Sequence, residues 1–248
     1  MIISHKYKFI FIKTRKTAGT SVEIALSRYC GPDDILSPIS LSDEPIRGKF
    51  FCRPRNYLRT GSETGLGLNV LWSFASRIEQ LRPNTVPFRL RRKWSNWMHS
   101  DLIRANNGYY NHMGAAEVKA LCESDVWNSY FKFCVDREPV DKTISHYSYL
   151  SKHSSIDEYL DEGEVCSDFD KYSIDQEICV DKIINFSSLT GELSSVCKDL
   201  GIPFDGWIPR AKSGYRAKSL TADMLAEHQI QRIESAFQKE YEALKFMR

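Results

Sequence analysis

The segment Phe9-Ile10-Phe11-Ile12-Lys13-Thr14-Arg15-Lys16-Thr17-Ala18-Gly19-Thr20-Ser21 constrains this chain more than any other. Its short apolar, β-branched run predicts a buried strand of parallel type over 8–13. The pattern breaks at Lys13-Thr14-Arg15-Lys16, passes small residues and resumes as a helix over 20–29, through Val22-Glu23-Ile24-Ala25-Leu26. A strand, a tight small-residue turn and a helix N-terminus together make an anion site. The first amides of a helix have no internal partner, and the helix dipole adds partial positive charge. Ala18 and Gly19 let the backbone approach a phosphate, Thr20 and Ser21 add hydroxyl donors, and Lys16 adds a full charge. The expected ligand is phosphorylated.

The spacing argues against a nucleotide triphosphatase. A Walker loop needs Gly-x-x-x-x-Gly-Lys-Ser/Thr, with a hydroxyl for magnesium. Here the lysine precedes the single glycine, and Thr14 stands where the first Walker glycine belongs. The loop suits one phosphate and is too small to wrap a polyphosphate.

A second strand is expected over 130–135, in Tyr130-Phe131-Lys132-Phe133-Cys134-Val135, followed by Asp136-Arg137-Glu138-Pro139 and a helix over 138–151. Pro139 fits the first helical turn, where its missing amide costs nothing. The pattern Arg-x-Pro-x-Asp-x-x-x-Ser-x-Tyr stands as Arg137, Pro139, Asp141, Ser145 and Tyr147. A guanidinium at such a strand end can make paired bonds to phosphate oxygens. The bland alternatives are an exposed loop lysine at 16 and an Arg137 paired structurally with Asp136 or Asp141.

Taken together, Lys16-Thr17-Ala18-Gly19-Thr20-Ser21 and the Arg137–Ser145 pattern resemble the two signatures of the sulfotransferases that use 3′-phosphoadenosine 5′-phosphosulfate (PAPS). The likeness is nearest to the carbohydrate sulfotransferases and their bacterial relatives. It implies a P-loop-like three-layer α/β fold, with the first loop on the 5′-phosphosulfate and Arg137 and Ser145 on the 3′-phosphate. It further implies a carbohydrate or glycoconjugate acceptor and 3′-phosphoadenosine 5′-phosphate as product. Many members have proline where this chain has Arg15, which here enters the cofactor loop. His112 resembles the histidine that serves such enzymes as base, and it precedes an expected helix over 114–123. Its alternative is a histidine that only caps or packs. His99 is the rival, and His146 ranks third because it is expected on a different helix face from Ser145. The stretch Ile208-Pro209-Arg210-Ala211-Lys212-Ser213-Gly214-Tyr215-Arg216 resembles the family's late cofactor loop, which would bring Lys212, Tyr215 and Arg216 to phosphate or adenine. A solvated basic loop is its alternative.

Sulfuryl transfer needs a stabilised leaving oxygen, a deprotonated acceptor and an in-line arrangement. Lys16 is the candidate for the first task, with the amides of 18–21 as preorganised donors. His112 is the candidate for the second, because imidazole takes and releases a proton near neutrality. The transferred group carries less charge than a phosphoryl group and the loop lacks an evident magnesium carboxylate, so no metal is expected. A kinase-like phosphotransferase and a non-catalytic nucleotide-binding module are the other two readings.

The rest of the chain bounds the problem. Its 248 residues suffice for one α/β domain, and the alternation of strands and helices predicts a parallel sheet covered on both faces, with ligands at the strands' carboxyl ends. Lysines and arginines number 34 against 32 acids, a net charge of +2, so no global field points to nucleic acid. Seven dispersed cysteines without a Cys-x-x-Cys pair favour reduced thiols, and with no signal peptide or membrane-length apolar run the expected place is the cytoplasm. The stretch 31–106 is irregular, with short helical patches expected near 70–81 and 94–105, and the resemblance makes it the acceptor pocket and lid. Within it, Arg89–Lys93 with Trp94 and Trp97 could meet an anionic sugar, although an ordinary helix surface is the simpler reading. Further on, Ser155–Glu158 reads as a capping box, 181–186 as a strand followed by a helix stopped by Gly201, and Thr221 as the cap of one long helix striped with Ile230, Ile233, Phe237, Tyr241 and Leu244.

Overall fold

The computed structural model describes residues 1–58, 101–150, 153–163, 165–211 and 220–245. Its centre is a five-stranded sheet of β1 (Ile2–Ser4), β2 (Phe9–Ile12), β3 (Ile35–Leu36), β4 (Phe131–Asp136) and β7 (Lys182–Asn185), in the order β3-β1-β2-β4-β7. A separate two-stranded piece pairs β5 (Ser173–Ile174) with β6 (Glu177–Ile178). Strands β2, β4 and β7 are parallel neighbours, in the registers Ile10↔Lys132 and Cys134↔Ile183. Strand β1 runs against both β2 and β3. The fully parallel sheet expected from the sequence is therefore parallel only in part. β1 is three residues long and its alternation is too short to read, yet a tight return to β2 can only produce an antiparallel pair.

The period-two alternation of β2 sorts the core into two layers. Phe9 and Phe11 join Phe133, Val135 and Ile184 beneath the helices Gly19–Ser27 and Leu189–Asp199, through Val22, Leu26, Leu193 and Val196. Ile10 and Ile12 face the other way, against Tyr109, Tyr110, Met113, Val118, Phe169 and Tyr172. Helices thus cover both faces, as the strand–helix alternation predicts. A third apolar cluster, with Ile144, Tyr159, Ile233 and Phe237, joins the helix Pro139–Leu150 to the C-terminal helices.

Several boundaries match the sequence reading within two or three residues. Ser155 caps the helix Ile156–Asp161 by accepting from the Glu158 amide at 3.1 Å, although the Glu158 carboxylate turns to Ser154 instead of completing the box. Gly201 stands at φ 69 just past the helix Leu189–Asp199. The single long C-terminal helix is corrected to two, Glu227–Ala236 and Gln238–Lys245, broken at Phe237. Thr221 precedes only a 3-10 turn, Ala222–Met224, and makes no side-chain cap bond. The stripe nevertheless holds, since Ile233 and Phe237 are buried and Ile230 and Tyr241 pack against them. Of the irregular stretch, a helix at Asp101–Ala105 is described, while the patch near 70–81 and the cluster Arg89–Lys93 with Trp94 and Trp97 lie outside the described residues. Among the described residues no helix is long and apolar enough to cross a membrane.

Candidate functional site

The carboxyl ends of β2, β4 and β7 point to one edge of the sheet, and the segments that follow them meet there around a cavity of about 340 Å³. After β2 the backbone curls into the left-handed region twice, at Lys16 (φ 62) and Ala18 (φ 58). Non-glycine residues in this region store roughly 1–3 kcal/mol of strain each, which the surrounding contacts must hold. Val22 N–H donates to Ala18 O at 3.1 Å as the first helical bond. The amides of Gly19, Thr20 and Ser21 precede that first bond and belong to the unsatisfied N-terminal turn that favours anions.

Gly19 is needed because the loop is pressed against its own strand. A Cβ there would stand 2.7 Å from Lys13 Cγ and 3.3 Å from the Thr14 carbonyl oxygen. The lysine beneath is held in turn, its buried ammonium pairing with Glu23 of the helix. Burial pushes the Glu23 carboxyl up, but the charges of Lys13 and of the Met1 amino group outweigh this and bring it down to about 2. Thr14 Oγ1 donates to the Val135 carbonyl of β4 and lies 2.8 Å from Thr17 Oγ1. Thr17 is therefore turned inward and fully buried, and unlike its neighbours it does not line the cavity.

The other sequence candidates converge on the same space. Arg15, Lys16, Ala18, Gly19, Thr20, Ser21, His112, Arg137, Ser145 and His146 all line it. Lys16 Nζ sits 4.1 Å from the centre of the Tyr149 ring. Arg137 donates through Nε to Asp141 at 2.6 Å and through Nη1 to the Lys16 carbonyl at 3.0 Å, with its guanidinium 4.3 Å from the Phe186 ring centre. The structural pairing of Arg137 with Asp141 and its place on the cavity wall thus coexist. Arg15 sends its backbone N–H and Nε to Asp168, both at 2.7 Å, and Nη2 to the Ser167 carbonyl. Burial disfavours its charge, and the adjacent Asp168 more than reverses that, so its pKa is raised. A proline at 15 would lose the first of these bonds.

His112 stands at φ 60, with Nδ1 3.1 Å from the Lys13 carbonyl oxygen. A carbonyl only accepts, so this contact requires the proton on Nδ1 and leaves Nε2 with the lone pair. His146 also lines the cavity, beside Ser145, and its Nδ1 is 2.9 Å from Tyr159 OH. His99, Lys212, Tyr215 and Arg216 lie outside the described residues, although the loop that leads to the last three is anchored by Ala211 N–H donating to Ser21 Oγ at 3.2 Å.

Sequence reasoning missed Lys13, Tyr149 and Phe186 as lining residues, and Asp168 and Lys142 behind them. Tyr149 was findable, because it lies one turn beyond Ser145 on the same helix. Phe186 follows the end of β7, where the sheet-edge rule places ligands. Among its described residues the lining holds four cationic side chains, two histidines and five hydroxyl-bearing residues at the loop and helix, Thr14, Thr20, Ser21, Ser145 and Tyr149, and no carboxylate. Chemically such a lining can receive an anion, although Lys13, Arg15 and Arg137 already pair with Glu23, Asp168 and Asp141. No protein-family model, no curated protein and no solved structure matches the chain.

Proposed function

We propose that the protein is a sulfotransferase of P-loop-like fold that moves the sulfuryl group of PAPS to a hydroxyl of a carbohydrate or glycoconjugate. One observation carries this reading: the loop Lys16–Ser21 and the Arg137–Ser145 segment, 121 residues apart in sequence at their point of contact, line one cavity and touch through Arg137 Nη1 and the Lys16 carbonyl. Two cationic segments side by side suit a nucleotide with two separate phosphates, and among the described residues no carboxylate faces the cavity, Asp141 and Asp168 being turned to Arg137 and Arg15. The seven unpaired cysteines support a reducing compartment, the cytoplasm.

PAPS, when bound, supplies a sulfuryl group already activated by its anhydride bond to phosphate. The chain's own residues then divide the work. The Gly19–Ser21 amides and the Lys16 ammonium hold the 5′-phosphate and stabilise the charge that grows on its oxygen, as preorganised donors worth several kcal/mol each in a partly dry site. Arg137 and Ser145 hold the 3′-phosphate. His112 keeps its Nδ1 proton on Lys13 and accepts the acceptor hydroxyl's proton at Nε2. The acceptor would be chosen by the stretch 31–106.

Calorimetric titration with 3′-phosphoadenosine 5′-phosphate, with and without magnesium and beside ATP, tests the reading. Tight metal-independent binding of the bisphosphate, weakened by Arg137→Ala, is expected, followed by label transfer from PAPS in an acceptor screen. A preference for magnesium-ATP would instead place the protein among phosphotransferases. Bisphosphate binding with no transfer to any acceptor, and no hydrolysis, would leave a binding module.

A further inference from the structure

Behind the cavity wall lies a buried charge cluster that the reaction does not use. Lys142, on the helix Pro139–Leu150, is fully buried and does not line the cavity. Its Nζ lies 2.8 Å from Asp136 Oδ1 and 3.1 Å from Asp168 Oδ2. Each of these carboxylates holds one of the two anion-gripping segments by its backbone. Asp136 Oδ1 accepts the Arg137 N–H at 2.8 Å, while its Oδ2 accepts from Tyr172 OH at 2.8 Å. Asp168 Oδ2 accepts the Arg15 N–H at 2.7 Å. Asp168 is itself seated by its own amide, which donates to Glu240 Oε1 at 3.0 Å.

Both carboxylates are fully buried, so they need a cation between them. Removing one partner of such a cluster leaves uncompensated buried charge, and the remaining groups must separate or take up protons. Burial disfavours the Lys142 charge, but Asp136 and Asp168 more than reverse this and raise its pKa. The ammonium is therefore a fixed strut. On one side of it stands the entry of the Lys16–Ser21 loop, and on the other the strand end that carries Arg137.

We propose that Lys142 is a positioning residue that sets the spacing between the two segments, so that a single ligand with two phosphates bridges them. The proposal rests on the bisphosphate reading of the cavity. A ligand that spans two subsites gains over a ligand with either phosphate alone only as far as the subsites stay in register. Lys142 therefore acts on the bisphosphate's advantage and not on either phosphate's own affinity.

The test compares adenosine 3′,5′-bisphosphate, adenosine 5′-monophosphate and adenosine 3′-monophosphate by calorimetry, on the wild type, Lys142→Met and Lys142→Arg. In the wild type the bisphosphate is expected to bind on the order of a hundredfold tighter than either monophosphate. In Lys142→Met that advantage should fall about tenfold while each monophosphate stays within about twofold, and Lys142→Arg should restore most of it. Equal losses for all three ligands, or no change, would overturn the proposal and make Lys142 a stability residue only. Should Lys142→Met fail to fold, Tyr172→Phe loosens Asp136 more gently, and a fall of about threefold in the advantage is expected; an unchanged advantage there overturns the proposal as well. A wild type that shows no preference for the bisphosphate would remove the underlying reading, a result visible before any variant is made.

Discussion

Arg137 donates through Nη1 to the carbonyl oxygen of Lys16 at 3.0 Å, so the residue at the end of β4 holds the backbone of the loop after β2. The same guanidinium spends Nε on Asp141 and rests its face on Phe186. Its remaining N–H groups are the ones a ligand can use.

Arg137→Lys keeps the charge but loses the planar fork, because one ammonium cannot serve Asp141, the Lys16 carbonyl and a phosphate in these directions. A loss of about ten- to a hundredfold in bisphosphate affinity is expected. Hydrogen exchange should report faster amides at Lys16–Ser21 in the same variant. Unchanged exchange with weakened binding would assign Arg137 to the ligand alone.

Gly19→Ala should destabilise by about 1–3 kcal/mol, because the new Cβ meets a lysine stem pinned at its far end by Glu23. Gly191→Ala is the matched control. Nothing lies within 4 Å of its Cβ position on the helix Leu189–Asp199, and the substitution should stabilise by about 0.5–1 kcal/mol. Urea midpoints moving in opposite directions would bear this out, and parallel shifts would refute it.

Glu23 dictates the shape of the acid limb of stability. Its folded pKa of about 2 lies below the ordinary 4.5, so the unfolded chain binds the proton more readily. The stabilisation is complete above pH 4.5 and is lost as pH falls from there through about 2. Glu23→Gln should be less stable at neutral pH and should lose less stability across that window. Urea denaturation at a series of pH values measures both, and parallel curves for the two proteins would refute the assignment.

His112→Ala should leave bisphosphate binding within about twofold and lower the transfer rate by about 10²–10⁴-fold. The base must be deprotonated to act, so the rate of the wild type should fall towards acid pH, and that fall should vanish in the variant. If His146→Ala produces this pattern instead, the base is the other histidine of the cavity wall.

Where local pattern determines structure, the sequence was a good guide. The run Phe9–Ile12, the break at Lys13 and the helix from Gly19 onward are consecutive, and each part follows from its own residues. The same holds for β4, Pro139 and the helix behind it. What the sequence hid was set by tertiary contact. The antiparallel β1 depends on a three-residue strand finding β2 and β3, and the helix breaks at Phe237, which is buried in the cluster with Tyr159 and Ile144, without a glycine or proline to announce it. His146 and Ser145 lie about 100° apart around their helix, and the cavity is wide enough to reach both, which the sequence could not show. Asp168 carried no local signal, since its partners are Arg15 and Lys142 and its meaning exists only once those are in place.

The tie from Arg15 to Asp168 spans 153 positions, and Asp168 leans in turn on Glu240 in the final helix. This long reach has a consequence for the order of events during synthesis. The loop is made before Arg137, Asp168 and Glu240, and until they follow it is held only by nearer contacts such as Thr14 on Thr17 and Lys13 on Glu23. Contacts so distant in sequence form late, because the intervening chain must close before they stabilise anything. The loop therefore reaches its final shape only when residues far along the chain have packed against it, so its geometry is a property of the whole fold and not of its own sequence.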